Sequence, residues 1–255
     1  MTNPGKGLGS GGGARAKRPF QNWAKLKPGK PLALADQGSR PLAWAEEYRS
    51  IAVQVEQSLT LNPEAKILAI TGSDRRCGKS LTSLNLALLL ARRGERRVIL
   101  VEGDLWQPTL RDYLDVQENI DGLGDILGRG SPVSQAIVSV WGAGLDVIFA
   151  GSSGDVSDLM TGGSLERLGD ELRRKYEIIV VDTPPVMLAA GRSLAGWADK
   201  SLLVVRARQT RRKSVEDALR ILGPDKTLGM ILNDVKGALD KKYGYVGYLT
   251  PEGKE

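Results

Sequence analysis

The order of short apolar runs and amphipathic segments after residue 62 constrains the fold of this chain more than any other feature. Runs rich in aliphatic and β-branched residues occur at 67–71, 98–102, 145–150, 178–182, 202–206 and 228–233. Helical spacing of apolar residues occurs at about 80–93, 109–116, 164–175, 191–198 and 212–222. Strands that are apolar on both faces need a helical cover on both sides of their sheet. The pattern therefore predicts an α/β fold with a mostly parallel sheet, helices on both faces, and ligand sites at the carboxyl ends of the strands.

The 255-residue chain contains no histidine and a single cysteine, Cys77. These counts exclude catalytic triads that need an imidazole, histidine-ligated metals, multi-cysteine zinc sites and an intramolecular disulfide. The first residues lack the apolar core of a secretory signal, and the longest apolar run, 86–91, is far shorter than the ~18 residues that cross a bilayer. We expect a cytoplasmic protein.

The positive charge of the chain is concentrated at its N-terminus. Residues 1–40 contain eight lysines and arginines against one acid, whereas the other 215 residues have a net charge of −1. The basic character therefore belongs to this segment, and no nucleic-acid partner is expected. Because 1–40 is rich in glycine and poor in apolar residues, we predict a disordered basic tail. It would act either as a solubilising linker or as a tether to anionic lipid or an acidic partner.

The strongest local motif is AITGSDRRCGKS at 69–80, in which a strand leads into a loop that ends in Gly-Lys-Ser and opens a leucine-rich helix. In a phosphate-binding loop, backbone N–H groups surround the phosphates, the lysine contacts the β and γ oxygens, and the serine ligates Mg²⁺. The chain does not match the strict pattern G-x-x-x-x-G-K-S, because Ser73 stands where the first glycine is expected and Gly72 precedes it. We predict that ATP is bound by Asp74, Arg75, Arg76, Cys77, Gly78, Lys79, Ser80 and Leu81.

Three carboxylates follow predicted strands. Glu102 and Asp104 come at the end of 98–102, two residues apart, so that both side chains would point the same way if the strand continued. Asp182 ends the strand 178–182. Phosphoryl transfer needs acids to hold Mg²⁺ and a carboxylate to orient or deprotonate the attacking hydroxyl. We predict Lys79, Glu102, Asp104 and Asp182 as catalytic residues, and Ser80, Asp104 and Asp182 as magnesium ligands.

Three of the six tyrosines, Tyr243, Tyr245 and Tyr248, fall within six residues near the C-terminus and are separated by glycines. A flexible chain end beside a nucleotide site suits a phosphate acceptor, because glycines let each hydroxyl enter a site. The alternatives are an aromatic adhesive tail or a final edge strand.

Taken in order, the Gly-Lys-Ser loop, Glu102-Gly-Asp104, Gly122-Leu-Gly124 and Asp182-Thr-Pro-Pro resemble the bacterial protein-tyrosine kinases of capsule and exopolysaccharide export, a family within the deviant Walker P-loop class. The similarity covers about residues 44–250. It implies that Lys79 contacts phosphate, that Ser80 and the acids hold Mg²⁺, that Asn233 contacts adenine, and that Tyr243, Tyr245 and Tyr248 are phospho-acceptors. Glu46 and Arg49 match a self-association motif whose last arginine is replaced by Ala52.

The resemblance also sets the domain organisation. After the tail at 1–40, a docking or oligomerisation helix occupies 41–62, a P-loop kinase domain 63–237 and a tyrosine-bearing tail 238–255. The implied activity is ATP- and Mg²⁺-dependent tyrosine autophosphorylation that regulates polysaccharide polymerisation and export. The implied partners are the cytoplasmic segment of an inner-membrane polysaccharide co-polymerase, further copies of the chain, and a cognate tyrosine phosphatase, which would hold the protein at the inner face of the plasma membrane.

Several departures from the family pattern keep a second function open. Arg76 stands where the family has glycine, Leu81 where it often has a hydroxyl, Glu102 where it has aspartate, and Trp106 where it has arginine. The alternative is therefore a weak or inactive nucleotide-binding regulator of the same export system. A partitioning-type ATPase is disfavoured, because Asp74 occupies the place of that class's signature lysine.

Overall fold

The computed structural model describes residues 22–26, 43–92, 96–116, 120–140, 142–152 and 163–235. The strands are β1 Asn22–Leu26, β2 Ile67–Gly72, β3 Val98–Glu102, β4 Leu114–Asp115, β5 Ile137–Val140, β6 Leu145–Ile148, β7 Ile178–Asp182, β8 Lys200–Arg206 and β9 Thr227–Asn233. The helices are α1 Ala43–Leu61, α2 Lys79–Arg92, α3 Leu123–Arg129, α4 Val133–Ala136, α5 Gly163–Lys175, α6 Ala189–Trp197 and α7 Arg212–Leu222. Together the strands form one sheet in the order β4-β1-β5-β6-β3-β7-β2-β8-β9.

The sheet is mostly parallel. The exceptions are the pairs β1–β4 and β5–β6, which are antiparallel. The four strands β3, β7, β2 and β8 at its centre all run in the same direction, so their carboxyl ends share one edge. That edge carries the phosphate loop after β2, Glu102 at the end of β3 and Asp182 at the end of β7.

Helices cover both faces of the sheet, because alternate residues of each central strand point to opposite sides. In β2, Leu68 and Ile70 pack with apolar residues of α1 and α2. Ile67 and Ala69 pack on the other face with residues of α3, α5 and α6. The predicted α/β class with a mostly parallel sheet and two helical layers is confirmed. None of the described helices is both long and apolar enough to cross a membrane.

The predicted helix at 109–116 is wrong. The segment forms a single 3₁₀ turn, Leu110–Asp112, followed by the short strand β4. Leu110 and Leu114 are both buried, and their separation of four residues imitates a helical face. The backbone N–H groups of Thr109 and Leu110 are instead taken by the Glu102 carboxylate, each over 2.7 Å, and β4 pairs with β1.

The prediction of disorder throughout 1–40 is wrong for residues 22–26. These residues form β1, which is parallel to β5 and antiparallel to β4. The backbone partners of β1 lie about a hundred residues away in sequence, so composition could not reveal them. The rest of 1–40 lies outside the described residues. Strand β5 and helix α3 were also not predicted, since both are short.

Candidate nucleotide and phosphoryl-transfer site

The loop between β2 and α2 is held to the neighbouring strand ends by backbone hydrogen bonds. The carbonyl of Gly72 accepts from the N–H of Val186 over 2.9 Å, and the carbonyl of Ile70 accepts from the N–H of Thr183 over 3.1 Å. The segment after Asp182 is therefore fixed against the start of the loop. This arrangement positions residues far apart in sequence around one concave edge of the sheet.

Gly78 closes the loop in a conformation that favours glycine. Its φ is +96°, and a Cβ at this position would lie 2.0 Å from Nδ2 of Asn233. That Nδ2 donates a hydrogen bond to the carbonyl of Cys77 over 2.9 Å. Asn233, at the carboxyl end of the edge strand β9, therefore contacts the loop, and its contact with adenine stays a prediction. Arg76, where the family has glycine, has a φ of +56°.

Lys79 begins α2 and is 6% exposed. Its Nζ lies 3.4 Å from the carbonyl oxygen of Asp74, so the side chain folds back along the predicted phosphate loop. Cys77 is buried beside it, and that burial raises the pKa of the thiol. An ammonium group enclosed by the loop matches the position required for a phosphate contact. Of the other predicted loop residues, Arg75 and Arg76 are exposed, while Ser80 and Leu81 are half-buried.

Asp182 is enclosed at the end of β7, with 1% exposure. One carboxylate oxygen, Oδ1, accepts a hydrogen bond from the Ser83 hydroxyl over 3.1 Å. The other, Oδ2, is buried without a hydrogen-bond partner in the described part of the chain. Desolvation raises the pKa of Asp182 to about 7. The Ser80 hydroxyl lowers this pKa, and the charge of the neighbouring Glu102 raises it further. A buried carboxylate with an uncommitted oxygen, beside the Ser80 hydroxyl, has the donor chemistry that Mg²⁺ prefers.

Glu102 lies beside Asp182 in the register of β3 and β7, and it is completely buried. Its Oε1 accepts from the N–H groups of Thr109 and Leu110, and its Oε2 accepts from the N–H of Ala150 over 3.0 Å. Burial raises the pKa of Glu102, and these three hydrogen bonds oppose the rise. Both oxygens are thus occupied by backbone donors of two loops, and the catalytic role of Glu102 stays a prediction.

Asp104 does not continue the strand, since β3 ends at Glu102. The condition on which the two acids were expected to point the same way is therefore not met. The backbone turns at Gly103, whose N–H donates to the carbonyl of Asp182 over 2.7 Å. A Cβ on Gly103 would lie 2.8 Å from that same carbonyl oxygen, so only glycine allows this approach. Asp104 is half-buried and accepts from the N–H of Gln107 over 3.1 Å.

Asp104 lines an open cavity of about 280 Å³ between the phosphate loop and the start of α6. The other lining residues are Arg75, Trp106, Gln107, Pro185, Leu188, Ala189 and Ala190. The cavity therefore joins the phosphate loop, the turn after β3 and the segment after Asp182. Sequence patterns did not reveal it, because Pro185 and the α6 residues become neighbours of Arg75 only when the sheet forms.

Ser83 was also missed. It lies four residues after Lys79, one turn further along α2, and its hydroxyl reaches Asp182 across to β7. The helical period alone could have placed Ser83 on the same face as Lys79. It could not have shown that this face lies against the end of β7.

The predicted self-association residues lie on α1. Glu46 and Arg49 form an exposed ion pair with each other over 2.8 Å. Between them, the Tyr48 hydroxyl lies 3.2 Å from the Thr82 hydroxyl, which joins α1 to the helix that follows the phosphate loop. Tyr243, Tyr245 and Tyr248 lie outside the described residues, so their role stays a prediction.

Comparison with known proteins gives a consistent pattern of relatives, although no family model matches the chain. The chain is 30% identical over 207 residues to the tyrosine-protein kinase YwqD of Bacillus subtilis, covering 80% of this chain and 86% of that protein. It is 24% identical over 217 residues to the tyrosine-protein kinase CpsD of Streptococcus pneumoniae, covering 82% and 92%.

Among solved structures, the kinase domain of the Escherichia coli tyrosine kinase ETK superposes with a TM-score of 0.66 at 26% identity, covering 77% of this chain and 80% of that domain. The septum site-determining protein MinD of Pyrococcus horikoshii, complexed with Mg-ADP, superposes with a TM-score of 0.53 at 22% identity, covering 66% and 69%. The second likeness shows a shared fold alone.

Proposed function

The chain belongs to the bacterial tyrosine-protein kinases, and on that basis we propose that it is an ATP-dependent tyrosine autokinase that regulates exopolysaccharide or capsule polymerisation and export. The observation that carries the proposal is the grouping of Lys79, Asp104 and Asp182 around one edge of the sheet, with a carboxylate oxygen of Asp182 that has no hydrogen-bond partner among the described residues. Nucleotide and acceptor can meet only where such groups converge.

The phosphate loop supplies the nucleotide contacts. Backbone N–H groups of 74–80 and the start of α2 would surround the phosphates, and Lys79 would pair with their negative charge. Ser80, Asp104 and Asp182 would hold Mg²⁺, which when bound neutralises the charge of the transferred phosphoryl group. Asn233 keeps the loop closed by holding the Cys77 carbonyl.

In the transfer itself, the phenolic oxygen of a tyrosine forms a bond to the γ-phosphorus while the bond from that phosphorus to the β–γ bridging oxygen of ATP breaks, releasing ADP. The phenolic proton passes to a carboxylate. Of the three predicted acids, Asp104 alone lines the open cavity, while Glu102 is occupied by backbone donors and Asp182 is enclosed. We assign the acceptor role for the proton to the carboxylate oxygen of Asp104 that would not ligate Mg²⁺.

The hydrogen bonds of Glu102 favour a second function, that of a nucleotide-binding regulator without kinase activity. Where the family has aspartate, this carboxylate is committed to the N–H groups of three residues. In either case the partners would be the cytoplasmic segment of an inner-membrane co-polymerase, other copies of the chain contacting through Glu46 and Arg49, and a tyrosine phosphatase. These partners would hold the protein at the cytoplasmic face of the membrane.

The test is the intact mass of the full chain after incubation with Mg·ATP, with and without the co-polymerase segment. We expect added phosphates that map to Tyr243, Tyr245 or Tyr248. They should be absent from Lys79→Ala and present in Lys66→Ala, which removes a lysine at the opposite edge of the sheet. Saturable ATP binding with no phosphate under any condition would instead establish the regulator.

A further inference from the structure

Strand β9 is an edge of the sheet, and among the described strands only β8 pairs with it. An edge strand directs alternate backbone N–H and C=O groups outward, where another strand can pair with them. Natural proteins keep such edges short or protect them with lysine or proline. The opposite edge, β4, has only two residues, whereas β9 has seven, TLGMILN, with no charged residue and no proline. The outer edge of β9 is therefore suited to pairing with a further strand.

The side chains of β9 add an apolar surface to this edge. Met230 is 57% exposed and Leu232 is 60% exposed, whereas β2, β3 and β7 are buried throughout. Met230 and Leu232 are two residues apart and lie on one face of the strand, while Ile231 between them is buried on the other. An added strand recognises this combination of outward backbone groups and alternating apolar side chains.

The chain turns where β9 ends. Asp234, the next residue, has a φ of +57°, and its carboxylate forms an ion pair of 3.0 Å with Arg206 at the end of β8. Aspartate tolerates this left-handed conformation and is frequent in turns. Residues 236–255, which lie outside the described part of the chain, therefore continue from a turn at the carboxyl end of β9.

The tyrosine-containing segment 242–248 has the sequence KYGYVGY. Tyrosine and valine favour strands, whereas the two glycines weaken a strand that has no partner. Tyr243 and Tyr245 are separated by two residues, as Met230 and Leu232 are, so each pair occupies one face of its strand. The segment therefore matches β9 in length and in the spacing of its large side chains.

We propose that the outer edge of β9 is the docking surface for residues 242–248 of the same chain, which pair with it as an antiparallel strand. Leu232 would lie opposite Tyr243 and Met230 opposite Tyr245, so that 234–241 form the connection. Aromatic rings packed against apolar neighbours are favourable cross-strand pairs, and a methionine sulfur packs well against a ring.

The segment is favoured over a second copy of the chain because of its tether. A segment joined by an eight-residue connection has a local concentration on the order of millimolar, so it reaches the edge before a second molecule does. A hairpin connection needs as few as two residues, so 234–241 is long enough to reverse the chain.

Docking would withhold the tyrosines from phosphorylation, a consequence that rests on the proposed autokinase function. The carboxyl end of β9 lies at the edge of the sheet that carries the phosphate loop, and an antiparallel strand runs away from it. In the proposed register Tyr248 lies opposite Thr227, roughly 20 Å from that end. The segment must leave β9 before its hydroxyls can reach a phosphoryl-transfer site.

The test is amide hydrogen exchange of β9, resolved to single residues, in the full chain without nucleotide. Val246→Pro combined with Gly247→Pro removes two neighbouring N–H groups, one of which points toward β9 in any antiparallel register. Ala238→Pro combined with Leu239→Pro is the matched control in the connection. We expect the outward amides of β9 to exchange about tenfold faster in the first variant and at an unchanged rate in the control.

Equal exchange in the two proline variants would overturn the docking. So would protection that persists in the first variant and rises with protein concentration, because the edge would then be occupied by a second copy. Met230→Lys tests the side-chain match without disturbing the core, since lysine on an edge discourages pairing. Its control is Ile221→Lys, at an exposed apolar position on α7. We expect about tenfold faster exchange in Met230→Lys alone, and unchanged exchange there would also overturn the pairing.

Phosphate transfer is read separately by intact mass with Mg·ATP. We expect Met230→Lys to incorporate phosphate at its tyrosines about threefold faster than the unchanged chain, and Ile221→Lys at the same rate. Faster exchange with an unchanged rate of transfer would overturn the withholding of the tyrosines. Absent transfer in every variant, with the exchange difference intact, would show that the autokinase function fails while the docking holds.

Discussion

Ser83 and Asp182 are joined by a hydrogen bond of 3.1 Å between the Ser83 hydroxyl and Oδ1 of Asp182, which links the helix after the phosphate loop to the end of β7. The same hydroxyl lies 2.9 Å from the carbonyl of Lys79. Since Ser83 is completely buried, no solvent can replace either contact. The residue therefore couples the position of the phosphate loop to the acid that would hold Mg²⁺.

Replacing Ser83 with alanine should destabilise the fold by about 1–2 kcal/mol, because the buried Asp182 carboxyl loses a hydrogen-bond donor. Ser201 is the matched control, since its buried hydroxyl has no hydrogen-bond partner in the described part of the chain. Ser201→Ala should therefore be neutral or slightly stabilising. Urea denaturation of both variants measures the difference. An equal decrease in the free energy of unfolding in both variants would show that the Ser83–Asp182 hydrogen bond contributes no net stability.

The stability of the nucleotide- and metal-free protein should fall as the pH rises from about 4 to about 7. The folded state raises the pKa of Asp182 to about 7, so it binds this proton more tightly than the unfolded chain does. The stabilisation is fully present below the ordinary carboxyl pKa and is lost as the pH passes through the raised value. Glu102, whose pKa is also raised, acts in the same direction.

Asp182→Asn should flatten this pH dependence, because the amide does not titrate. The measurement is the free energy of unfolding in urea at several pH values from 5 to 8, with EDTA present. The chain has no histidine, so few other groups titrate in this range. An unchanged slope in Asp182→Asn would contradict the raised pKa.

Glu102→Gln should destabilise the fold by about 2–3 kcal/mol, since three backbone N–H groups lose a charged acceptor and one of them faces an amide nitrogen. The control is Glu171→Gln on α5, where a partly exposed ion pair with Lys175 should contribute less than about 0.5 kcal/mol. Thermal and urea unfolding measure the stability of both variants. A loss of catalysis in Glu102→Gln with unchanged stability would instead indicate direct participation in transfer.

Gly78→Ala should weaken ATP binding more than any strain at that residue explains. The new Cβ would clash with Nδ2 of Asn233, breaking the contact that closes the loop. Gly130→Ala provides the control, because its φ of +71° is similarly unfavourable to alanine but its Cβ would meet no atom within 4 Å. Titration of ATP into each variant separates the two effects. Matching affinities in the two variants would show that Asn233 has no part in holding the loop.

The local sequence determined the class of fold and the position of the nucleotide loop. Six of the eight strands within 67–233 were predicted, because each has a continuous apolar run. Such a run is typical of strands buried on both faces, although Met230 and Leu232 of β9 are exposed. The loop predicted to bind phosphate was proposed from the sequence because such a function requires particular residues at short spacing. Asp182 was identified from its place at the end of such a strand. All of these signals act within a few residues of one another.

Only the tertiary structure decided which of these residues act together. Asn233 contacts the loop from 156 residues away, and Ser83 reaches Asp182 across 99. Glu102 accepts hydrogen bonds from the backbone N–H groups of Thr109 and Ala150, and only the packed fold brings the second of these to it. Strand β1 forms because β4 and β5 pair with its backbone. Such contacts depend on how distant segments pack, and neither periodicity nor composition records that packing.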